Sequence, residues 1–277
     1  MNLNQQIERG IFKRFRKELW TPFIHAIQQY QLIQAGDCIA ICISGGKDSF
    51  LTAKLFQALS RITTIPFSTK FITMDPGYTI EDRTKIIENA ELFEIPLSLF
   101  ESDLFETVTR LPGNPCYRCA RMRRGFLYKH AQEMGCNKIA LGHHYNDVVE
   151  TILLGMLYGA QIQTMMPKLH SRNFAGMELI RPLYHVHEQD IVRWQNYHNL
   201  KFLKSGCRVL EDCSGSSKRH EMKLLLQQLK QIHPGVEKCI FRSVHDINLD
   251  TVIGYKLHGQ EYSFLDHYSD AMVEEFS

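Results

Sequence analysis

Three short segments of this 277-residue chain combine residue types and spacings suited to chemistry. The first is Ile43-Ser44-Gly45-Gly46-Lys47-Asp48-Ser49. Its glycines let the main chain turn tightly and approach a ligand with no side chain between. A helix starting at the end of this turn would aim unpaired N–H groups and its positive dipole end at the same spot, which favours phosphate. Lys47 adds a full charge, and Ser44 and Ser49 add hydroxyl donors. A Walker A loop is excluded, because it needs glycine at 41 and serine or threonine at 48, where Ile41 and Asp48 stand. A plain turn capped by Asp48 or Ser49 explains one residue and not all six. Ser44, Gly45, Gly46, Lys47, Asp48 and Ser49 therefore read as a nucleotide-phosphate site.

The second segment, Leu141-Gly142-His143-His144-Tyr145-Asn146-Asp147, precedes apolar residues 148, 149, 152, 153, 156 and 157, which form one face of a helix. Gly142, His143 and Asp147 then lie on a loop and a first helical turn. The Asp147 carboxylate there suits Mg²⁺ beside a triphosphate. Asp147-x-x-Glu150 also fits a helix capping box, and the histidines also fit ordinary loop residues.

The third segment is Pro115-Cys116-Tyr117-Arg118-Cys119, followed by Arg121, Arg123 and Arg124. Two cysteines three apart bring two sulfurs to one side of a turn, as a metal or cluster requires. A tetrahedral zinc site needs two more ligands, and no second pair of this spacing exists. Cys207 and Cys213 lie further along in a loop-like stretch. Cys38, Cys42, Cys136 and Cys239 read as incidental packing. From Cys116 to His130 the chain has five cations and no acid, with Tyr117, Phe126 and Tyr128 interleaved; a solvated helix face is the bland account of that run.

Segments this far apart need a scaffold to present them together. Asp37–Ser44 is short, isoleucine-rich and suited to a strand buried on both faces. Further strands are expected at Pro66–Met74, Pro96–Phe100 and Lys138–Leu141. Helices are expected from Asp48 to about Leu59, then at Thr79–Phe93, Arg118–Met134 and Asn146–Tyr158. Such alternation implies an α/β fold with an open, mostly parallel, Rossmann-like sheet. Ligands bind such sheets beyond the carboxyl ends of the strands, and Asp75 ends the second strand there unless it is a turn residue before Pro76-Gly77. Gln161–Met177 reads as a long loop, Glu178–Leu183 as a last strand, and Glu188–Asn199, Ser217–Ile232 and Gly235–Asp246 as helices. The stretch from Gly254 reads as a poorly anchored tail. The expected division is an N-terminal helical segment (1–34), a main domain (35–200) and a C-terminal helical region (201–277). The first of these carries Arg9, Lys13, Arg14, Arg16 and Lys17, and its Lys13–Lys17 cluster reads either as an extension of a nucleic-acid track or as the polar face of an ordinary amphipathic helix.

Composition sets limits. A hydrophobic fraction of 44% and a charged fraction of 22% are ordinary for a globular chain. A formal charge of +2 means that any nucleic-acid site must be a local basic patch. With no signal-like or bilayer-length apolar run, a cytoplasmic protein without a membrane partner is expected, and its eight cysteines read as thiols or ligands.

Ser-Gly-Gly-Lys-Asp-Ser after a strand resembles the PP-loop ATP pyrophosphatases. Cys116-Tyr-Arg-Cys-Ala-Arg-Met-Arg-Arg-Gly125 and the Gly-His-His segment resemble the tRNA 2-thiocytidine synthetases within that superfamily, over about residues 20 to 245. The resemblance implies ATP and Mg²⁺ at Ser44–Ser49 and Asp147, with Lys47 assisting and Asp75, Gly142 and His143 near the nucleotide. It implies a [4Fe–4S] cluster on three cysteines, Cys116, Cys119 and Cys213. Cys213-Ser-Gly-Ser fits the third ligand better than Cys207, although the spacing between these two departs from the family's close pair. The implied reaction adenylates the C2 oxygen of an anticodon-loop cytidine and replaces it with sulfur from a cysteine desulfurase or other sulfide donor. Arg123 is then expected to neutralise the α-phosphate, and Arg118, Arg121 and Arg124 to hold tRNA phosphates. A homodimer is left open. Two rivals are a cluster-free tRNA ligase of the lysidine type and an adenine-nucleotide-sensing RNA-binding protein.

Overall fold

The computed structural model describes residues 2–102, 115–203 and 218–268; of residues 115–117, 119 and 120 it describes the main chain alone. Its centre is a six-stranded sheet of order β3-β2-β1-β4-β6-β5, with β1 Cys38–Cys42, β2 Ser68–Asp75, β3 Leu97–Glu101, β4 Lys138–Ala140, β5 Lys168–His170 and β6 Glu178–Ile180. All pairings are parallel except β5 with β6. The open α/β expectation therefore holds. The strand order reverses between β1 and β4, which is the switch point where such sheets open a crevice.

The two faces are built from alternate residues. Ile39 and Ile41 of β1 and Ala140 of β4 face a large core completed by α3 (Lys47–Ile62), α4 (Ile80–Leu92), α6 (Tyr145–Gly159) and α7 (Glu188–Tyr197). The same core takes in the N-terminal helices α1 (Leu3–Phe12) and α2 (Thr21–Gln29), joined by a π-helical turn at Arg16–Trp20. Ala40, Cys42 and Ile139 face a smaller core covered by α5 (Pro115–Glu133). Strands buried on both faces read as apolar runs, as β1 does. α8 (Lys218–Ile232) and α9 (Val236–Ser243) pack against α6.

Four local expectations are corrected. The Gln161–Met177 loop contains β5, whose three residues are too few and too exposed to stand out by alternation. Residues 254–263, expected only as part of a tail, have regular structure of their own, a hairpin of β7 Gly254–Leu257 with β8 Gln260–Ser263, turned by His258 and Gly259 at φ +51° and +84°. Such a two-residue turn with both φ positive matches strand twist, a signal that a neighbouring glycine makes legible. α5 begins at Pro115, so Cys116 and Cys119 belong to its first turns and not to a turn before it. Met156 and Leu157, expected on the buried face of α6, are about half exposed, because the helix runs past the edge of the core.

Candidate active site at the carboxyl edge of the sheet

The loop after β1 is shaped by its own hydroxyls. The Ser44 N–H donates to Ser49 Oγ (3.2 Å), and Ser49 Oγ donates to the Gly46 carbonyl (2.8 Å). Gly45 sits at φ +87°, and a Cβ there would fall 2.6 Å from Leu203 Cδ1, so glycine is required twice over. Gly46 is the N-cap of α3 and makes no side-chain cap, which leaves the N–H groups of that helix end facing the crevice.

The loop after β4 meets this one in direct contact. A Cβ on Gly142 would lie 3.0–3.1 Å from the main chain of Asp48 and from Ser49 N. Only a residue without a side chain lets the two loops approach this closely. His144 then caps α6: Asp147 N–H reaches His144 Nδ1 (3.4 Å), and the His144 N–H donates to Asp147 Oδ2 (3.0 Å). The capping box thus closes one turn earlier than Asp147-x-x-Glu150, with Asp147 as its far end. Asp147 Oδ1 remains for Arg219 (3.3 Å), which also approaches Glu150 Oε2 (3.7 Å).

Charge accumulates here. Lys47 bridges Asp48 (3.2 Å) and Glu188 (3.3 Å), and Glu188 also holds Lys223 (2.6 Å). Burial pushes the Asp48 carboxyl up, against the pull of His144 and Lys47, and its Oδ1 is buried without a hydrogen-bond partner. Burial works the same way on Asp147, but His144, His143 and Arg219 outweigh it and hold that carboxyl below its usual range. Burial and then Asp147 push Glu150 up to about 7. Burial and then Arg181 push His143 down to about 4, so a neutral imidazole faces the crevice at neutral pH. Its Nδ1 and Arg181 Nε are likewise buried and unpartnered. A helix end, a lysine and carboxylates of contrasting proton affinity suit a nucleotide's phosphates with a divalent cation.

Of the other residues expected at a site, Asp75 ends β2 and closes a turn, its Oδ1 accepting the Gly77 and Tyr78 N–H groups (2.8 and 2.7 Å). Tyr78 OH in turn reaches the Ser44 carbonyl (3.4 Å), which ties that turn to the phosphate loop. Because α5 leads into β4, its amino end points to the carboxyl edge of the sheet, and Cys116 and Cys119 fall there. Their main-chain positions are three residues apart, a little under one turn along the helix. Arg118 and Arg123 are half-buried, with Nη1 and Nε unpartnered, while Arg121 and Arg124 are exposed. Cys207 and Cys213 lie outside the described residues. The flanks of their segment are described: the Leu203 N–H donates to the Gly45 carbonyl (3.1 Å), and Arg219, one residue into α8, holds Asp147. Both flanks lie at the site. Sequence reading missed Glu188, Lys223, Arg219 and Arg181, which are single charges on otherwise ordinary elements and acquire meaning only through their partners.

Comparison with known proteins agrees with this geometry. A PP-loop domain signature matches residues 19–208. Proteins named tRNA-cytidine(32) 2-sulfurtransferase are similar over most of the chain. That of Acaryochloris marina is 35% identical over 227 residues, 81% of this chain and 79% of its own. That of Anaeromyxobacter dehalogenans is 32% identical over 276 residues, 95% of this chain and 91% of its own. The chain belongs to the PP-loop tRNA-cytidine 2-sulfurtransferase family. Among solved structures, the U34-tRNA thiolase NcsA from Methanococcus maripaludis, determined with its [4Fe–4S] cluster, shares the fold. Its TM-score is 0.65 at 21% identity, covering 82% of this chain and 79% of that one. No described helix is long and apolar enough to cross a membrane.

Proposed function

We propose that this member of the family is an ATP-dependent tRNA thiolase that makes 2-thiocytidine in the anticodon loop and works in the cytoplasm. The supporting observation is convergence at one edge: the Gly142 loop touches the Asp48–Ser49 main chain, and Leu203 and Arg219 bring both flanks of the Cys207–Cys213 segment to the same place. The α3 amino end, Lys47, Ser44 and Ser49 hold the phosphates of ATP. Asp48, whose buried Oδ1 lacks a partner, and Asp147 suit Mg²⁺. The C2 oxygen of the cytidine attacks the α-phosphate, the bond to the β-phosphate breaks, and pyrophosphate leaves. AMP on the base oxygen makes it a good leaving group, and Arg123 offsets the charge on the α-phosphate.

The donors fit a soft cluster by their chemistry: Cys116 and Cys119, less than one helical turn apart at the start of α5, with a third thiolate, Cys213, from the segment whose flanks meet here. A [4Fe–4S] cluster held by them would supply sulfide that displaces AMP from the activated C2, the sulfide coming from an external sulfide donor or from a cysteine desulfurase's persulfide after two-electron reduction by a thiol. Arg118, Arg121 and Arg124 line the approach for tRNA phosphates. The test is anaerobic purification with iron and sulfide analysis, then mass spectrometry of tRNA nucleosides from a deletion strain. Loss of 2-thiocytidine in that strain and restoration by the wild-type chain are expected. A colourless, iron-free anaerobic preparation that keeps its full tRNA-modifying activity, and not ATP consumption alone, would instead favour a lysidine-type ligase.

A further inference from the structure

Away from the ATP crevice, a bowl of about 650 Å³ opens between α1 and the end of α7, with Arg9, Lys13, Arg14, Tyr197 and His198 around it and no carboxylate among its lining residues. Its floor depends on Gly10. A Cβ there would lie 2.6 Å from His198 Nε2, so the bare backbone makes room for the tip of the imidazole against α1. The Arg14 guanidinium sits 4.4 Å from the centre of the Tyr197 ring, an aromatic–cation pair at the rim. The nearby acid is already engaged, because Glu8 pairs with Lys54 (3.2 Å) and Arg61 (2.5 Å). Among the described residues neither Arg9 nor Lys13 has a carboxylate within ion-pair distance. Three exposed cations therefore share one concave surface, and no described carboxylate pairs with any of them.

We infer that this bowl is a second RNA-backbone site, which takes phosphates of the same tRNA whose base enters the ATP crevice; the inference rests on the thiolase reading above. α7 joins the two places. It begins at Glu188, which is bound to Lys47, and ends at the bowl about 15 Å further on at 1.5 Å per residue. Its exposed residues between them, Gln189, Val192, Arg193 and Asn196, include no acid, and Asp190 is buried against Arg193 (3.1 Å). An anionic strand can follow this face without meeting a like charge. A membrane is a poorer fit for the same cations. Ile7 and Ile11, the apolar face of α1, are fully buried in the core and cannot enter a bilayer. Unstacked RNA bases stack on aromatic rings or on arginine planes, and the rim offers one of each in Tyr197 and Arg14.

The experiment compares the wild-type chain with Arg9→Glu/Lys13→Glu/Arg14→Glu and with Tyr197→Ala, using an unmodified tRNA transcript, ATP and anionic phospholipid vesicles as probes. For the triple variant, tRNA Kd is expected to rise at least tenfold at ~0.1 M salt, with the slope of log K against log salt shallower by about 2, since each lost phosphate contact removes roughly 0.7–0.9. ATP affinity should stay within about twofold, and Tyr197→Ala should weaken tRNA binding about threefold with the slope kept. A triple variant that binds and thiolates tRNA like wild type overturns this site and leaves the thiolase reading standing. So does vesicle binding that is lost in the variant while tRNA affinity is unchanged. A wild-type chain that neither binds tRNA nor releases pyrophosphate with it would sink both.

Discussion

At the amino edge of the sheet, Lys138 is buried between Asp37 (2.8 Å) and Glu178 (3.0 Å) and also donates to the Leu32 carbonyl (3.0 Å). Asn137 and the Gln34 N–H complete the shell of Asp37, and these bonds outweigh burial to hold its carboxyl below the usual range. At the carboxyl edge the same sheet carries Asp48, His143 and Arg181 with buried polar atoms that have no partner, beside a Glu150 pushed up to about 7. Both edges bury charge. One satisfies it internally, and that is how structural charge is tolerated. The other leaves donors and acceptors aimed into a crevice, which is the pattern expected where a ligand completes the shell. The lesson is that buried charge alone does not mark a site; unsatisfied buried charge at the switch point does.

This contrast can be broken by mutation, and the largest effect belongs to the carboxyl edge. Cys116→Ser or Cys119→Ser should abolish thiolation, by more than about 10³-fold, while tRNA-dependent pyrophosphate release stays within a few-fold. Loss of both activities together would detach the cysteines from a separate sulfur step. Next, Asp147→Asn should lower adenylation by about 10²-fold, a typical loss for one group acting on developing charge. Urea unfolding of that variant should show only a modest loss, on the order of 1 kcal/mol, because the amide gives up the attraction of His144, His143 and Arg219 while relieving repulsion with Asp48 and Glu150.

Lys138→Met at the amino edge should do the reverse, costing about 3–5 kcal/mol by stranding Asp37 and Glu178. The fraction that remains folded should keep its ATP affinity. Gly142→Ala comes next: its Cβ presses on main chain and not on a flexible tip, so the two loops must separate, and a roughly tenfold rise in KM for ATP is expected at nearly unchanged stability. The smallest effect concerns pH. Glu150 has a folded pKa of about 7 against an ordinary 4.5, so the folded state binds the extra proton between those values. Its contribution to stability is present below about 4.5 and is lost as pH rises through about 7. Glu150→Gln should flatten that part of the stability–pH curve. An unchanged slope would place the shift elsewhere.

Much of the frame was legible in the residues. β1 announced itself because a strand buried on both faces must be apolar throughout, and α3 because a glycine pair and a lysine preceded an amphipathic run. β5 escaped because three half-exposed residues carry no usable period, and the β7–β8 hairpin because its positive-φ turn lay in a stretch judged by composition. The start of α5 was misplaced because Pro115 is a tolerated first helical residue as well as a breaker. Glu188, Lys223, Arg219 and Arg181 gave no sequence signal, since one charge on a helix or at a strand end resembles any other.

By itself the sequence determined which groups could handle phosphate and sulfur, because glycine freedom, lysine charge and thiolate softness are properties of single residues and short spacings. Only the tertiary structure decided that the Gly142 loop lies against Asp48, that Glu188 and Arg219 are the partners of Lys47 and Asp147, and that the cations of α1 share a bowl with no carboxylate in its lining. Those outcomes depend on distances between residues tens to hundreds of positions apart, and they follow from strand order and burial, which no local pattern encodes.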